Sequence, residues 1–326
     1  LIALDAMGGD HAPEAVVKGA VEASSLLHLD VILVGDPEAI ERYLPSPCPA
    51  RLQIHPATQV IGMDEKPLDA LRKKKDSSLA VAVDLVKRGA ASCMVSAGNT
   101  GAATAASLLS WRQMHGFHRP AIASEMPSYF DRFLLLDAGA SPDVDPEHLV
   151  EFALMGRAYV QHILGRPNPT VHLLNIGEEA GKGNAFAKEA YNHLVKHEWF
   201  AGNIEGKDMF SAPCDVVVCD AFVGNIVLKT SEGVAELMVK LIREQVPTSF
   251  LGKLPFLPMR KAMAPVRRKM DYSEVGGSPL LGLNGLTIIC HGRSNAKAIK
   301  NALLLAQKAI DQQLVKQIES SLKELV

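Results

Sequence analysis

The stretch Cys93-Met94-Val95-Ser96-Ala97-Gly98-Asn99-Thr100-Gly101-Ala102 passes from a short apolar run into a Gly/Asn/Thr turn and then into an alanine-rich helix. A helix N-terminus approached by a backbone without bulky side chains presents N–H groups and a positive dipole end, which together seat an anion. Three further junctions share this build: Ala6-Met7-Gly8-Gly9-Asp10-His11, the loop from Gly177 to Asn184, and Asp220-Ala221-Phe222-Val223-Gly224-Asn225. The four corners read as belonging to one parallel sheet, and they predict a site for a phosphate-like ligand.

Around these corners, runs dense in Val, Ile and Leu recur at Leu1–Asp5, Val31–Val34, Leu52–His55, Cys93–Ser96, Phe133–Leu136, Val171–Ile176, Val216–Cys219 and Leu286–His291. Several are apolar at successive positions, as strands covered on both faces are. Helical patterns separate them at Pro13–Leu26, Ser78–Arg88, Pro146–Leu164, Asn184–His197 and Asn225–Arg243. This alternation predicts an α/β fold with a doubly wound, mostly parallel sheet, one domain spanning residues 1–326. Ile299, Leu303, Ala306, Ile310, Leu314, Ile318 and Leu322 form one stripe, which predicts a single long amphipathic helix at the end of the chain.

At 326 residues and 48% hydrophobic content the chain has ample material for a core. A formal net charge of −2 gives no field to attract nucleic acid. Five cysteines without a C-x-x-C pair predict reduced thiols rather than a disulfide framework. The opening Leu1-Ile2-Ala3-Leu4-Asp5 has no signal-peptide pattern, so a cytoplasmic location is expected. Gly89 to Trp111 is uncharged and long enough to span a bilayer, but Gly98-Asn99-Thr100-Gly101 would break such a span.

One segment departs from the rhythm. Residues 245–270 carry Lys253, Arg260, Lys261, Arg267, Arg268 and Lys269 and no acid, interleaved with apolar residues and punctuated by prolines. This reads as a protruding helical insertion, either touching anionic lipid or an acidic protein, or packed on the body or a second subunit.

The candidate site residues each admit a plainer role. Gly177-Glu178-Glu179-Ala180-Gly181-Lys182-Gly183-Asn184 lacks the spacing and the Ser/Thr of a nucleotide P-loop, leaving Lys182 as an oxyanion contact or a surface lysine. His11 reads as a general acid, a phosphate donor or a polar cap, and Asp10 as a cap. His291, before Gly292-Arg293, stands where ligands gather at a sheet's carboxyl edge, or is structural. Asp220, Asn225 and Lys229 place a carboxylate, an amide and an ammonium near one corner, with Asn225 equally readable as a helix cap. Neither Asp143-Val144-Asp145-Pro146-Glu147-His148 nor His115-Gly116-Phe117-His118 has the spacing of a metal site, so no metal is expected.

Taken in order, the blocks Asp5 to Pro13, Ser96 to Ala102, Leu173 to Gly177 with Lys182-Gly183-Asn184, Asp215 to Asp220 with Gly224-Asn225, and Gly276-Gly277-Ser278-Pro279-Leu280-Leu281-Gly282 resemble the PlsX-type phosphate acyltransferases of bacterial phospholipid synthesis. That family usually has glycine where Ala221 stands, asparagine where Ser141 stands and tyrosine where Val275 stands; a Cβ at Ala221 resists a positive φ. The resemblance implies a fold like that of the isocitrate and isopropylmalate dehydrogenases. It also implies a cytoplasmic, peripherally membrane-associated homodimer that moves a fatty acyl group from acyl carrier protein to inorganic phosphate. The acyl phosphate then feeds a membrane-bound glycerol-3-phosphate acyltransferase, and no cofactor takes part.

On this reading the backbone N–H groups around Gly8, Gly9 and Asp10 and around Gly98, Asn99, Thr100 and Gly101 hold phosphate, with Lys182 or His11 countering its charge. Asn225 stabilises the oxyanion, Asp220 orients Lys229, and His291 contributes to binding. Arg72, Lys73, Lys74 and Lys75, with the basic residues from Lys253 to Lys269, are the expected contact for carrier protein or membrane; a solvated helix face also explains such runs. A decarboxylating NAD-dependent dehydrogenase and a non-enzymatic membrane scaffold are the alternatives.

Overall fold

The computed structural model describes residues 1–244, 269 and 271–325. Two sheets, rather than one, carry the strands. The seven-stranded sheet has the order β3-β2-β1-β4-β12-β11-β5, built from β1 (Ile2–Asp5), β2 (Val31–Gly35), β3 (Leu52–Pro56), β4 (Cys93–Ser96), β5 (Ala121–Ile122), β11 (Ser278–Leu281) and β12 (Thr287–Ile289). The five-stranded sheet runs β6-β7-β10-β8-β9, from β6 (Ser124–Pro127), β7 (Arg132–Leu136), β8 (Val171–Asn175), β9 (Phe200–Glu205) and β10 (Val216–Val218). Pairing is parallel except where β11 meets β12 and β5, and where β6 meets β7.

The expectation of a single sheet fails because the chain changes sheet at Ala123, between the short strands β5 and β6. The two sheet edges are tied there by Ala123 N–H to Pro279 O (3.0 Å), Ala138 N–H to Ile122 O (2.9 Å) and a Ser124 to Ser278 hydroxyl bond (2.9 Å). A two-residue β5 and a β6 whose sequence is Ser-Glu-Met-Pro present no apolar run to read. The core is nonetheless continuous: Ile2, Leu4, Leu134 and Val216 belong to one apolar cluster, and Ala3, Met94, Phe133 and Val217 to a second. Alternate residues of each strand thus feed opposite faces, both buried, which accounts for the unbroken apolar runs.

Helices cover both faces. They are α1 (Glu14–Leu27), α2 (Pro37–Glu41), α3 (Pro67–Lys73), α4 (Ser78–Lys87), α5 (Thr100–Trp111), α6 (His148–Tyr159), α7 (Ala185–Leu194), α8 (Ala221–Glu244), α9 (Ala296–Asp311) and α10 (Leu314–Ser321). The last two replace the single long helix expected, because Gln313 turns to a φ of 50° and breaks the hydrogen-bonded ladder. The stripe persists across the break because Leu314 and Ile318 re-enter the same core as Ile299 and Leu303. The helix expected from Pro146 to Leu164 starts at His148 and closes in a π-turn over Val160–Leu164.

Residues 245–268 and 270 lie outside the described residues, and with them Lys253, Arg260, Lys261, Arg267 and Arg268. Lys269 is described, and its Nζ donates to the Tyr129 carbonyl at 2.7 Å. Four cysteines are buried and Cys48 is exposed, all as free thiols.

Packing also joins what spacing kept apart. His118 Nδ1 lies 2.6 Å from Glu151 Oε1, and the donor atoms of His118, His148 and Glu151 fall within 4.8 Å of one another. Sequence spacing gave no sign of this group, since Glu151 arrives from α6. The Asp145 N–H donates to His148 Nδ1 at 2.9 Å, which leaves the ring proton on Nε2 and argues against His148 as a metal ligand.

The hydrogen bond and charge of Glu151 raise the His118 pKa, so this pair stabilises the fold fully below the unfolded value of about 6.5 and loses its effect as pH rises through the folded value. His118→Ala is expected to lower Tm at about pH 6 and to converge on the parent by about pH 9; an equal gap at both would refute the assignment.

Candidate active site

The carboxyl ends of β1, β4 and β12 meet at close range. A Cβ on Gly8 would stand 2.5 Å from Asp5 Oδ2 and 2.8 Å from the Gly98 nitrogen, so the first two corners touch through bare backbone. The third is tied in by the Asp10 N–H donating to Gly292 O at 2.8 Å. Beneath them the buried Asp5 accepts from Ser96 Oγ (2.7 Å) and the Met7 N–H (3.2 Å), while Ser96 Oγ accepts from the Gly98 N–H (3.0 Å). Burial pushes the Asp5 pKa up, against the lowering effect of these hydrogen bonds.

Asn99 caps α5. Its Oδ1 accepts from the Ala102 N–H at 3.0 Å, and its Nδ2 donates to the carbonyls of Gly62 (3.3 Å), Met63 (2.9 Å) and Glu65 (3.0 Å). The side chain is committed to structure, so only the backbone at this corner is left for a ligand. The first-turn N–H groups of Thr100 and Gly101 have no acceptor within the helix. Pro67 covers Gly101, and Thr100 faces the cleft.

Across from these corners lies a junction the sequence reading passed over, Asp137-Ala138-Gly139-Ala140-Ser141 at the end of β7. The buried Asp137 accepts from the N–H groups of Ile122 (3.0 Å), Gly139 (2.8 Å), Ala140 (2.9 Å) and Ser141 (2.8 Å), and burial raises its pKa against them. Its small-residue composition was a legible signal. The first turn of α8 docks on this loop, with Gly224 against the Asp137 carbonyl.

Asp220, not Asn225, caps α8: its Oδ1 accepts from the Val223 N–H at 3.0 Å. Asn225 therefore sits inside the first turn, and its amide is left for the cleft. Ala221 is helical and not among the residues of positive φ, so its Cβ brings no backbone strain. Asp10 does not cap α1 either, since Pro13 occupies that position without a side-chain bond.

Between the two sets of corners is a cleft of about 510 Å³. Asp10, Thr100, Asn225, Lys229 and His291 line it, joined by Gly139, Glu125, Glu232, Val275 and Arg293, which sequence reasoning had not singled out as site residues. Lys229 Nζ donates to Glu232 Oε2 at 2.9 Å and lies 3.4 Å from His291 Nε2. The Arg293 N–H donates to His291 Nδ1 at 3.1 Å, placing the ring proton on Nε2. Burial, with the nearby Lys229 charge, holds the His291 pKa below its ordinary value. Glu125 is clamped by Tyr159 Oη (2.7 Å) and Arg132 Nη1 (3.2 Å).

Eight expected participants are not in the cleft lining: Gly8, Gly98, Asn99 and Gly101 build the corners beside it, and the other four lie elsewhere. Lys182 stays beside Glu179 at 3.9 Å on an exposed loop, His11 is exposed, Asp220 is spent on capping, and Gly9 serves the corner behind Asp10. Their sequence signals were those of a corner, and corners on different sheets do not all face one cavity. Of the basic run at the end of α3, Lys74 is tied to the Val60 carbonyl (2.7 Å) and to Glu65; Arg72, Lys73 and Lys75 are exposed.

The backbone defines an α/β protein whose fold is shared by several solved structures. It is similar to a phosphotransacetylase from Streptococcus pyogenes (TM-score 0.62, 18% identity, 95% of this chain and 94% of that one) and to a 4-hydroxythreonine-4-phosphate dehydrogenase from Klebsiella pneumoniae (0.53, 12%, 94% and 98%). At such identities the likeness establishes the fold alone.

A model of the fatty acid synthesis protein family matches residues 1–317, and a phosphate acyltransferase of Desulfitobacterium hafniense (strain DSM 10664 / DCB-2) is 48% identical over 324 residues, 98% of this chain and 97% of the relative. The chain belongs to this family, the PlsX-type phosphate acyltransferases, and is an enzyme. Membership removes the non-enzymatic scaffold and sets aside the dehydrogenase.

Proposed function

We propose that the enzyme transfers a fatty acyl group from an acyl carrier protein thioester to inorganic phosphate, releasing acyl phosphate. The observation that carries this reading is the facing of an open helix N-terminus at Thr100 and the cation Lys229 across one cleft whose remaining wall is largely apolar. Phosphate rests at the α5 N-terminus, its charge met by the helix dipole and by Lys229. One phosphate oxygen forms a bond to the thioester carbonyl carbon. The carbonyl pair moves onto oxygen, where the Asn225 amide donates to it, and collapse expels the thiolate.

Neither a general base nor a triad is required. Phosphate near neutral pH is substantially a dianion, and a thiolate of pKa about 8.5 leaves unaided. Positioning supplies most of the acceleration. The acyl chain lies along Ile122, Ala138, Leu228 and Ile289, the apolar wall of the same cleft.

Membrane association rests on surface contact in this reading, since no helix among the described residues is long and apolar enough to cross a membrane. Arg72, Lys73 and Lys75 offer the acidic carrier protein a basic edge, and a second copy of the chain covers the apolar outer face of α8 at Ile226, Val234, Leu237 and Leu241. The product would then pass to a membrane-bound glycerol-3-phosphate acyltransferase. The test incubates acyl carrier protein thioester with phosphate and traps the product with hydroxylamine. Phosphate-dependent thiol release with hydroxamate formation is expected; thiol release that ignores phosphate would overturn the reading.

A further inference from the structure

Lys229 is the ammonium that the proposed reaction assigns to phosphate, yet in the free enzyme it already has an anion. Glu232, one turn further along α8, holds Lys229 Nζ at 2.9 Å and stands 3.8 Å from His291 Nε2. The carboxylate is the better shielded partner, its side chain 24% exposed against 53% for Lys229, and both residues line the cleft. A fixed negative charge on the wall of an anion site opposes the ligand twice, by occupying its counter-ion and by direct repulsion.

We propose that Glu232 is a positioning residue that acts as an internal competitor for phosphate. It holds Lys229 against His291 while the site is empty and yields the ammonium to the incoming dianion. This inference rests on the acyl transfer reading above and specifies how that site regulates its phosphate affinity. The energetic consequence is a phosphate affinity weaker than the cations alone would give. The kinetic one is that product, also an anion on Lys229, meets the same competition and is released more readily.

The neighbouring charges set the scope of the effect. Arg293 is paired with Glu236 at 2.7 Å, Asp10 lines the cleft from β1, and Glu125 lines it from β6 with its own partners Arg132 and Tyr159. Glu232 is the carboxylate hydrogen-bonded to Lys229, and its removal releases the ammonium.

The test is steady-state kinetics with phosphate as the varied substrate and acyl carrier protein thioester saturating. Glu232→Gln is expected to lower the phosphate KM by about threefold or more, with kcat moving less, because the change removes a competitor and not a transition-state contact. Glu232→Asp, which keeps the charge, is expected to keep the parental KM. A phosphate KM that is unchanged or raised in folded Glu232→Gln would overturn the proposal, as would an Asp variant that behaves like Gln. A parent enzyme that fails to use phosphate at all defeats the acyl transfer reading instead, so the two failures are told apart.

Discussion

Replacing Gly224 by alanine is expected to destabilise the protein by about 3 kcal/mol or more and to abolish acyl transfer. A Cβ at that position would stand 1.9 Å from the Asp137 carbonyl oxygen and 2.9 Å from its carbon, and neither atom belongs to a flexible side chain. The Asp137 loop cannot retreat cheaply, because four backbone N–H groups hold its carboxylate. The helix must retreat instead, carrying Asn225 and Lys229 out of the cleft. Urea unfolding of the purified variant measures the first effect and hydroxamate trapping the second. A variant with parental midpoint and turnover would show that α8 and the β7 corner are not in the contact described. Gly233, on the same helix with nothing near its missing Cβ, provides the control: Gly233→Ala should be neutral or mildly stabilising.

Asn99→Ala is expected to have the next largest effect, about 2–4 kcal/mol, for a reason different from substrate contact. The amide of Asn99 is 8% exposed and joins three carbonyls of the loop from Gly62 to Glu65 to the first turn of α5. Its loss removes a donor from the Met63 and Glu65 carbonyls, while Gly62 O keeps the Glu65 N–H at 3.3 Å, and frees Met63, which lines the cleft. Asn99→Ser separates the two roles, since a serine still caps the helix but cannot reach the loop. We expect Asn99→Ser to recover about 1 kcal/mol of the loss while the phosphate KM remains raised. Equal stability of the two variants would contradict the capping assignment, and an unchanged phosphate KM in both would separate the loop from the site.

These expectations show where the sequence was a sufficient guide. The corners at Gly8 and Gly98 were legible because a parallel strand that ends in small residues and enters a helix has few other uses, and the structure joins them through backbone contact. Asn225, Lys229 and His291 were legible for the same reason and do meet in one cleft. The β7 corner carried the same signal in Ala138-Gly139-Ala140. Glu232 carried a weaker one, an acid three residues after a lysine on a helix, which ordinarily describes a solvent-facing pair.

Glu125 had no signal. Its strand is four residues long and antiparallel to its neighbour, and its role comes from Arg132 on the adjoining strand and from Tyr159, 34 residues on in α6. Lys182 shows the converse case, a residue with every local mark of an oxyanion contact on an exposed loop that does not line the cleft. Local composition reports what a corner is able to bind, but says nothing of which other corners it faces.

The sequence alone determined the α/β class, the place of eight strands and the small-residue corners, because these depend on periodicity and steric freedom within a dozen residues; β9 (Phe200–Glu205), whose Gly202 and Asn203 interrupt any apolar run, was passed over. Tertiary structure decided that the strands divide into two sheets at Ala123, that Asn99 serves the fold, and that Lys229 faces Glu232 and His291. Those outcomes follow from which edges pair and which loops share a cavity, and such contacts are fixed by packing between separate elements, beyond the reach of local periodicity.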